Sequence, residues 1–350
     1  MTISTRIVLV STRIVLGTLA LGLVSCAEDP GPQRLSDWGL FVDGAAQTPA
    51  EGMVEYELRA PLFSDYSTKH RFLRLPPGTT LGVDDTGRFV YPEGTVIAKT
   101  FGFRSDLRDP SSPERIIETR LLELRGGRWV PYVYLWNEDA SDATLTRVGA
   151  RVPVTFTDAT GEEHSIQYRV PSTTQCGNCH GGQGDVEPLG PRVEQLDRDH
   201  DYGSGPENQL AHLVAEGWLA ERPSGTRPFV DPADESASLE DRARSYLHAN
   251  CAHCHRDGGA ADQSGLWFEI EQTDEARLGF CKIPAAAGRG TGGRSVDIWP
   301  GDPERSILVF RMESDEPGIK MPELPAVLVH DEGVALMREW IASMPARSCE

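Results

Sequence analysis

The sequence predicts a multidomain α+β chain: an N-terminal antiparallel β-sandwich or barrel followed by mainly α-helical segments. Three observations predict it. Short β-type runs separated by Gly and Pro fill the chain from about residue 35 to 170. After them a pattern of paired cysteines and a histidine occurs twice, and apolar residues at helical spacing bracket the last segment. At 350 residues the chain is long enough for two or three domains, each with its own core.

Residues 1–25 read as an export signal, with Arg6 and Arg13 ahead of an apolar run from Ile14 to Val24 that is too short for a membrane span. Leu23-Val24-Ser25-Cys26 looks like a lipobox, in which Cys26 becomes the acylated N-terminus and several acyl chains give a stable membrane anchor. A plain secretory signal ending in cysteine is the alternative. Ala27 in place of an aspartate favours the outer membrane, facing the periplasm. Residues 26–34 are Pro/Gly-rich and polar, suited to a tether.

The β-rich domain, 35–170, carries runs at Arg71 to Leu75, Arg88 to Tyr91, Val96 to Phe103, Ile116 to Leu124, Trp129 to Trp136 and Ser165 to Val170. Turn signals stand at Pro76-Pro77-Gly78, Asp85-Thr86-Gly87, Arg125-Gly126-Gly127 and Thr160-Gly161. Period-two spacing puts Tyr132, Tyr134 and Trp136 on one strand face, where aromatic residues are more often core than a ligand platform.

The repeated pattern is Cys176-Gly177-Asn178-Cys179-His180 and Cys251-Ala252-His253-Cys254-His255. It is the attachment signature for a covalently bound c-type haem. Two thiols two residues apart add to the two vinyl groups of one macrocycle, and the adjacent histidine reaches the iron. A zinc site is the bland alternative, but Cys179 and Cys251 are farther apart than ribbon-type zinc modules allow. Two covalently attached haems are therefore expected, through Cys176 and Cys179 and through Cys251 and Cys254, with His180 and His255 as axial ligands.

The first haem segment, 171–235, has one helical candidate, Asn208 to Ala220, and is too loop-rich to form a core unaided. The last domain, 236–350, is expected to be a class I-like c-type cytochrome domain. Leu239, Ala243, Tyr246 and Leu247 mark a helix running into Cys251, with Ser238 and Asp241 at its start, and Val334, Met337, Trp340, Ile341 and Met344 mark a second. Met321, stiffened by Pro322, is the expected sixth ligand of the second haem; Met312, in a helical run, is its competitor. No methionine lies between His180 and Tyr246, so His212 or His200 is the local candidate for the first haem, with His70 and His164 available from the β-rich domain.

Seven cysteines then divide into four for haem, Cys26 for lipid, and Cys281 and Cys349, which an oxidising compartment permits to pair, although nothing in the sequence fixes their distance and two free thiols are the alternative. The net charge of -19 becomes -21 once residues 1–25, with Arg6 and Arg13 and no acid, are removed. Nucleic acid is a poor partner for such a surface. A redox partner protein with a basic docking patch suits it, although the charge also serves simple solubility.

The chain resembles a family of exported bacterial dihaem c-type cytochromes with a β-rich N-terminal region and no assigned physiological role. The words that carry the resemblance are Pro61-Leu62-Phe63-Ser64-Asp65-Tyr66, Pro92-Glu93-Gly94-Thr95 with Lys99-Thr100-Phe101, Ile117-Glu118-Thr119-Arg120, Gln175 to His180, Asn208-Gln209-Leu210, Arg242 to Leu247 and Met321-Pro322. They span nearly all of the mature chain. The resemblance implies haem ligation by His180 and His255 and supports Met321, but supplies no substrate. Around Pro92 to Thr95 the β region is also loosely similar to cytochrome P460-type domains, without an attachment motif for a third haem. Electron transfer is the leading expectation. A dihaem peroxidase or oxidase with an open first haem, and a β-domain ligand-binding module with a haem relay, are the alternatives.

Overall fold

The computed structural model describes residues 31–182, 185–223, 229–323 and 326–349; the expected signal, tether start and Cys26 lie outside them. Six strands form one antiparallel sheet: β1 (Met53–Glu55), β2 (Thr68–Arg74), β3 (Val96–Arg104), β4 (Glu114–Arg125), β5 (Arg128–Trp136) and β6 (Ala143–Leu145). They lie side by side in chain order, each paired with its sequence neighbour, so the sheet is a meander. Gly126 and Gly127 both take positive φ, 61° and 74°, in the two-residue turn joining β4 to β5. That turn geometry matches the twist of the flanking strands. A separate ribbon, β7 (Ala150–Thr157) and β8 (Glu163–Val170), follows.

Alternation along the strands gives the sheet two buried faces. On one, Phe72, Ala98, Leu121 and Tyr132 line up across four strands, covered by Leu35, Trp38, Leu40 and Phe41. Tyr132, Tyr134 and Trp136 belong to this core. Their polar tips find partners: the Trp38 indole donates to the Tyr134 hydroxyl at 2.6 Å, and the Trp136 indole donates to Thr119 Oγ1 at 2.9 Å. On the other face, Leu73 and Ile97 pack with Val193, Leu196, Leu210 and Leu213. The segment after residue 170 thus completes the sheet's second core.

Among the described residues, five α-helices follow the ribbon in addition to a single turn at Val193–Leu196: α1 (Thr173–His180), α2 (Gln209–Ala215), α3 (Leu239–Asn250), α4 (Ile307–Glu313) and α5 (Asp331–Ser343). Asn208 caps α2 by accepting from the Leu210 and Ala211 N–H groups. The helix stops short of Ala220 because the chain turns at Gly217, φ 73°. Helices α3 and α5 enclose a core of Tyr246, Leu247, Met312, Met337 and Trp340. A Cβ on Gly333 would collide with the Tyr246 hydroxyl, so only glycine permits their close approach. Cys281 and Cys349 are disulfide-bonded, Cα–Cα 4.9 Å.

The expected fold class is corrected in two respects. The β-rich N-terminal region is present, but it is one open sheet whose second face is covered in part by the two-stranded ribbon, where Val154, Phe156, Tyr168 and Val170 pack on Phe101, Phe103, Ile117 and Val133, and in part by the segment after residue 170. The mainly α-helical cytochrome segments are not found. Among the described residues the chain is richer in strand than helix, and most of 251–330 is turn and irregular backbone with helices of at most seven residues. Glycines at 258, 265, 279, 288, 292, 293, 301 and 318 take positive φ there, which no continuous helix tolerates. Pro32–Glu350 forms one compact unit.

Candidate functional site

A reciprocal capping box starts α1. Ser172 Oγ accepts the Gln175 N–H at 3.3 Å, and the Gln175 side chain accepts the Ser172 N–H at 2.9 Å. Four residues apart on the helix, Cys176 and His180 share a face. The second motif begins where α3 ends: the Cys251 N–H still donates to Leu247 O, and the Cys254 and His255 N–H groups then fold back on Cys251 O at 3.1 and 2.9 Å.

These two segments, distant in sequence, meet. The Cys254 thiol donates to Asn178 O at 3.7 Å, and one donor atom from each of Cys179, His253 and Cys254 lies within 4.8 Å of the others. The hydrogen bond between the two thiols pulls Cys179 down against the opposing effect of burial and drives Cys254 upward. Burial pushes Cys251 up to about 12 and also raises Cys176.

Both motif histidines are held by Nδ1. His180 Nδ1 lies 2.9 Å from Glu187 O, and since a carbonyl only accepts, the proton sits on Nδ1 and Nε2 keeps its lone pair. His255 Nδ1 lies 3.1 Å from Ser264 Oγ. Burial pulls each imidazole down to about 4, so both are neutral near pH 7. Neutral and anchored through the other nitrogen is the state in which a histidine binds a metal.

Cys176, Cys179 and His180 border a cavity of about 610 Å³ between α1, the sheet and the second motif. Its apolar wall includes Leu58, Leu62, Ile97, Leu122, Val170 and Leu189, while Arg71, Lys99 and Arg120 bring charge to it from the sheet. That size is ordinary for a cofactor-sized ligand.

His200 and His212 do not border this cavity. His212 Nδ1 pairs with Glu207 at 2.6 Å and its ring stacks on Tyr202 at 3.6 Å; His200 packs edge-on against the same tyrosine. His70 pairs with Glu114 and His164 with Asp158, each at 2.9 Å. Besides His180, the cavity histidines among the described residues are His248 and His253, which sequence reasoning missed. His248 Nδ1 accepts the Ile270 N–H at 3.0 Å, so its lone pair is committed. His253 is 8% exposed and its Nδ1 has no partner, an expensive state for a buried polar atom. Its signal was present, since it stands inside the second motif.

Met321 sits in the loop between α4 and α5, its N–H donating to Arg311 O at 2.9 Å and its peptide bond to Pro322 cis. Met312 is buried in the C-terminal core. No described helix is long and apolar enough to cross a membrane. Comparison with known protein families, with curated proteins and with solved structures gives no match.

Proposed function

We propose that the chain is a dihaem c-type cytochrome that transfers electrons outside the cytoplasm, with one haem on Cys176 and Cys179 and the other on Cys251 and Cys254. The observation that carries this reading is the convergence of the two attachment motifs, each with a neutral imidazole tethered by Nδ1. The donor set fits: two thiols and a histidine per motif, an orphaned imidazole nitrogen in the cavity, and apolar walls. When bound, each haem supplies a one-electron iron centre whose potential depends on its axial ligands and surroundings.

The chain's own groups do the rest. His180 and His255 offer Nε2 to iron, with Glu187 O and Ser264 Oγ fixing their rings. His253 is the further imidazole offered in the first cavity, in preference to His200 and His212. Met321 is the thioether for the second centre, and the packing role of Met312 favours that choice. The leucines and valine of the cavity wall exclude water, which strengthens every charge interaction inside.

With its net charge of -19, the protein suits a redox partner bearing a basic patch, and acylated Cys26 would hold it at the outer membrane, facing the periplasm. Mass spectrometry of the mature protein, with absorption and EPR spectra in both redox states, tests the reading. Two added haem masses are expected. An unmodified chain, or zinc in place of iron, would remove its basis.

A further inference from the structure

A row of three cations crosses the cavity side of the sheet. Arg71 on β2 stands directly opposite Lys99 on β3, and Lys99 directly opposite Arg120 on β4. Facing like charges in adjacent strands destabilise a sheet, and burying cations adds to the cost. The neighbouring row on one side is apolar, Leu73, Ile97 and Leu122; on the other, Phe101 stands between Lys69 and the buried Glu118, a single carboxylate against four cations. This face of the sheet therefore carries an excess of positive charge.

Local partners account for Arg120 but not for the rest of the row. Arg120 donates twice to Glu118, at 2.9 and 2.5 Å, lies over the Phe101 ring at 4.2 Å, and shares that carboxylate with the Tyr168 hydroxyl at 2.7 Å. The Lys99 ammonium lies over the Phe101 ring at 4.7 Å. Arg71 is 5% exposed, reaches only Lys69 O at 3.3 Å, and leaves Nε buried without a partner. All three side chains border the cavity that holds His180, in a protein that is otherwise strongly acidic. A guanidinium with an unsatisfied donor beside two more cations calls for an acceptor-only anion.

We propose that Arg71, Lys99 and Arg120 form an anion site inside the cavity, binding a carboxylate or small oxyanion next to His180. This deepens the haem reading and rests on it for the source of the anion. That source is either a propionate of the haem attached at Cys176 and Cys179 or a free oxyanion that enters the cavity.

The test uses the holoprotein and its R71Q and K99Q variants, with R71K and K99R as charge-conserving partners. Two quantities are read: the pH dependence of the first haem's midpoint potential, and the Soret response to nitrite and to inorganic phosphate. If a propionate fills the site, R71Q and K99Q move the inflection in the potential by at least about one pH unit, while the anions give no saturable response. If a free oxyanion fills it, wild-type protein responds saturably and R71Q and K99Q weaken binding at least about tenfold, with the inflection unmoved. The Lys and Arg replacements should behave near wild type in either case. Unchanged inflections and no saturable anion response in fully haem-loaded variants would overturn the proposal. Should one of R71Q and K99Q fail to fold, the other decides by the same two readouts. Should the chain carry no haem, the functional reading fails separately, and phosphate binding followed by tryptophan fluorescence then decides the row.

Discussion

Asp65 ties the β-rich half of the chain to the loop that carries Met321, and replacing it tests how that junction is held. It is fully buried, takes a positive φ of 53°, and accepts the N–H groups of Val327 and Leu328 at 2.7 and 2.8 Å through Oδ1 alone. Oδ2 has no partner. Burial raises its carboxyl pKa despite those two bonds, so the charge is a net liability and the acceptor atom is what the loop needs. Asp65→Ala orphans two partly buried donors at about 1–3 kcal/mol each and places alanine in the left-handed region at about 1–2 kcal/mol more. Partial access of water to 327 and 328 brings the expected loss to about 3 kcal/mol. Asp65→Asn keeps Oδ1 and tolerates the backbone, and should cost less than about 1 kcal/mol. Taking a urea slope of about 3 kcal/mol/M, the unfolding midpoint falls by about 1 M for D65A and by less than about 0.3 M for D65N. The sign of the pH effect is also fixed. The cost of the charged form applies above the raised folded pKa and is relieved as pH falls through it, so any advantage of D65N over wild type shrinks on acidification. Equal losses in the two variants would refute the reasoning.

Lys69 is pulled down to about 7, by burial first and by Arg71 second, so the folded state releases its proton more readily than the unfolded chain. Its penalty is full below about pH 7 and fades as pH rises toward the ordinary lysine value; urea midpoints at pH 6.5 and 9 should therefore differ less in K69M than in wild type. Cys281→Ser removes a bridge spanning 68 residues, worth about 4 kcal/mol by chain entropy, and should lower the midpoint under oxidising conditions while leaving the reduced wild type as its match. His253→Ala should change the low-spin EPR signal of one haem, whereas H212A and H200A should not; the reverse pattern would return the ligand to the Tyr202 cluster. Met321→Ala should remove the thioether-ligated signal of the second haem, and M312A should lower stability with that signal retained.

The long central strands were legible as β-type runs bounded by turn residues, so that Val96 to Phe103 is expected and Val96–Arg104 forms, whereas the short strands Met53–Glu55 and Ala143–Leu145 and the ribbon strand Ala150–Thr157 were missed. The cap at Ser238 is an equally local signal, whereas the Cys281–Cys349 pairing, across 68 residues, was only permitted by the sequence and is fixed by the fold. The helical content after residue 170 was overestimated because helical spacing marks the start of a helix such as α2 but not the tertiary turn at Gly217 that ends it. Whether six strands close on themselves or stay open depends on what covers their second face. Here Leu210 and Leu213, from a segment too loop-rich to form a core unaided, share that task with the ribbon.

The site divides along the same line. The two Cys-X-X-Cys-His words are visible in the sequence because their residues are adjacent, but the approach of Cys179 to Cys254 is a product of the whole packed chain. The basic row shows why register is the missing information. Arg71, Lys99 and Arg120 each look like an ordinary charge in a strand, and a one-residue slip of any of the three strands would turn its own member away from the cavity. Only once Lys99 is known to face both Arg71 and Arg120 do three tolerable charges become one costly cluster, and a cost retained in a core favours a ligand over packing as its explanation.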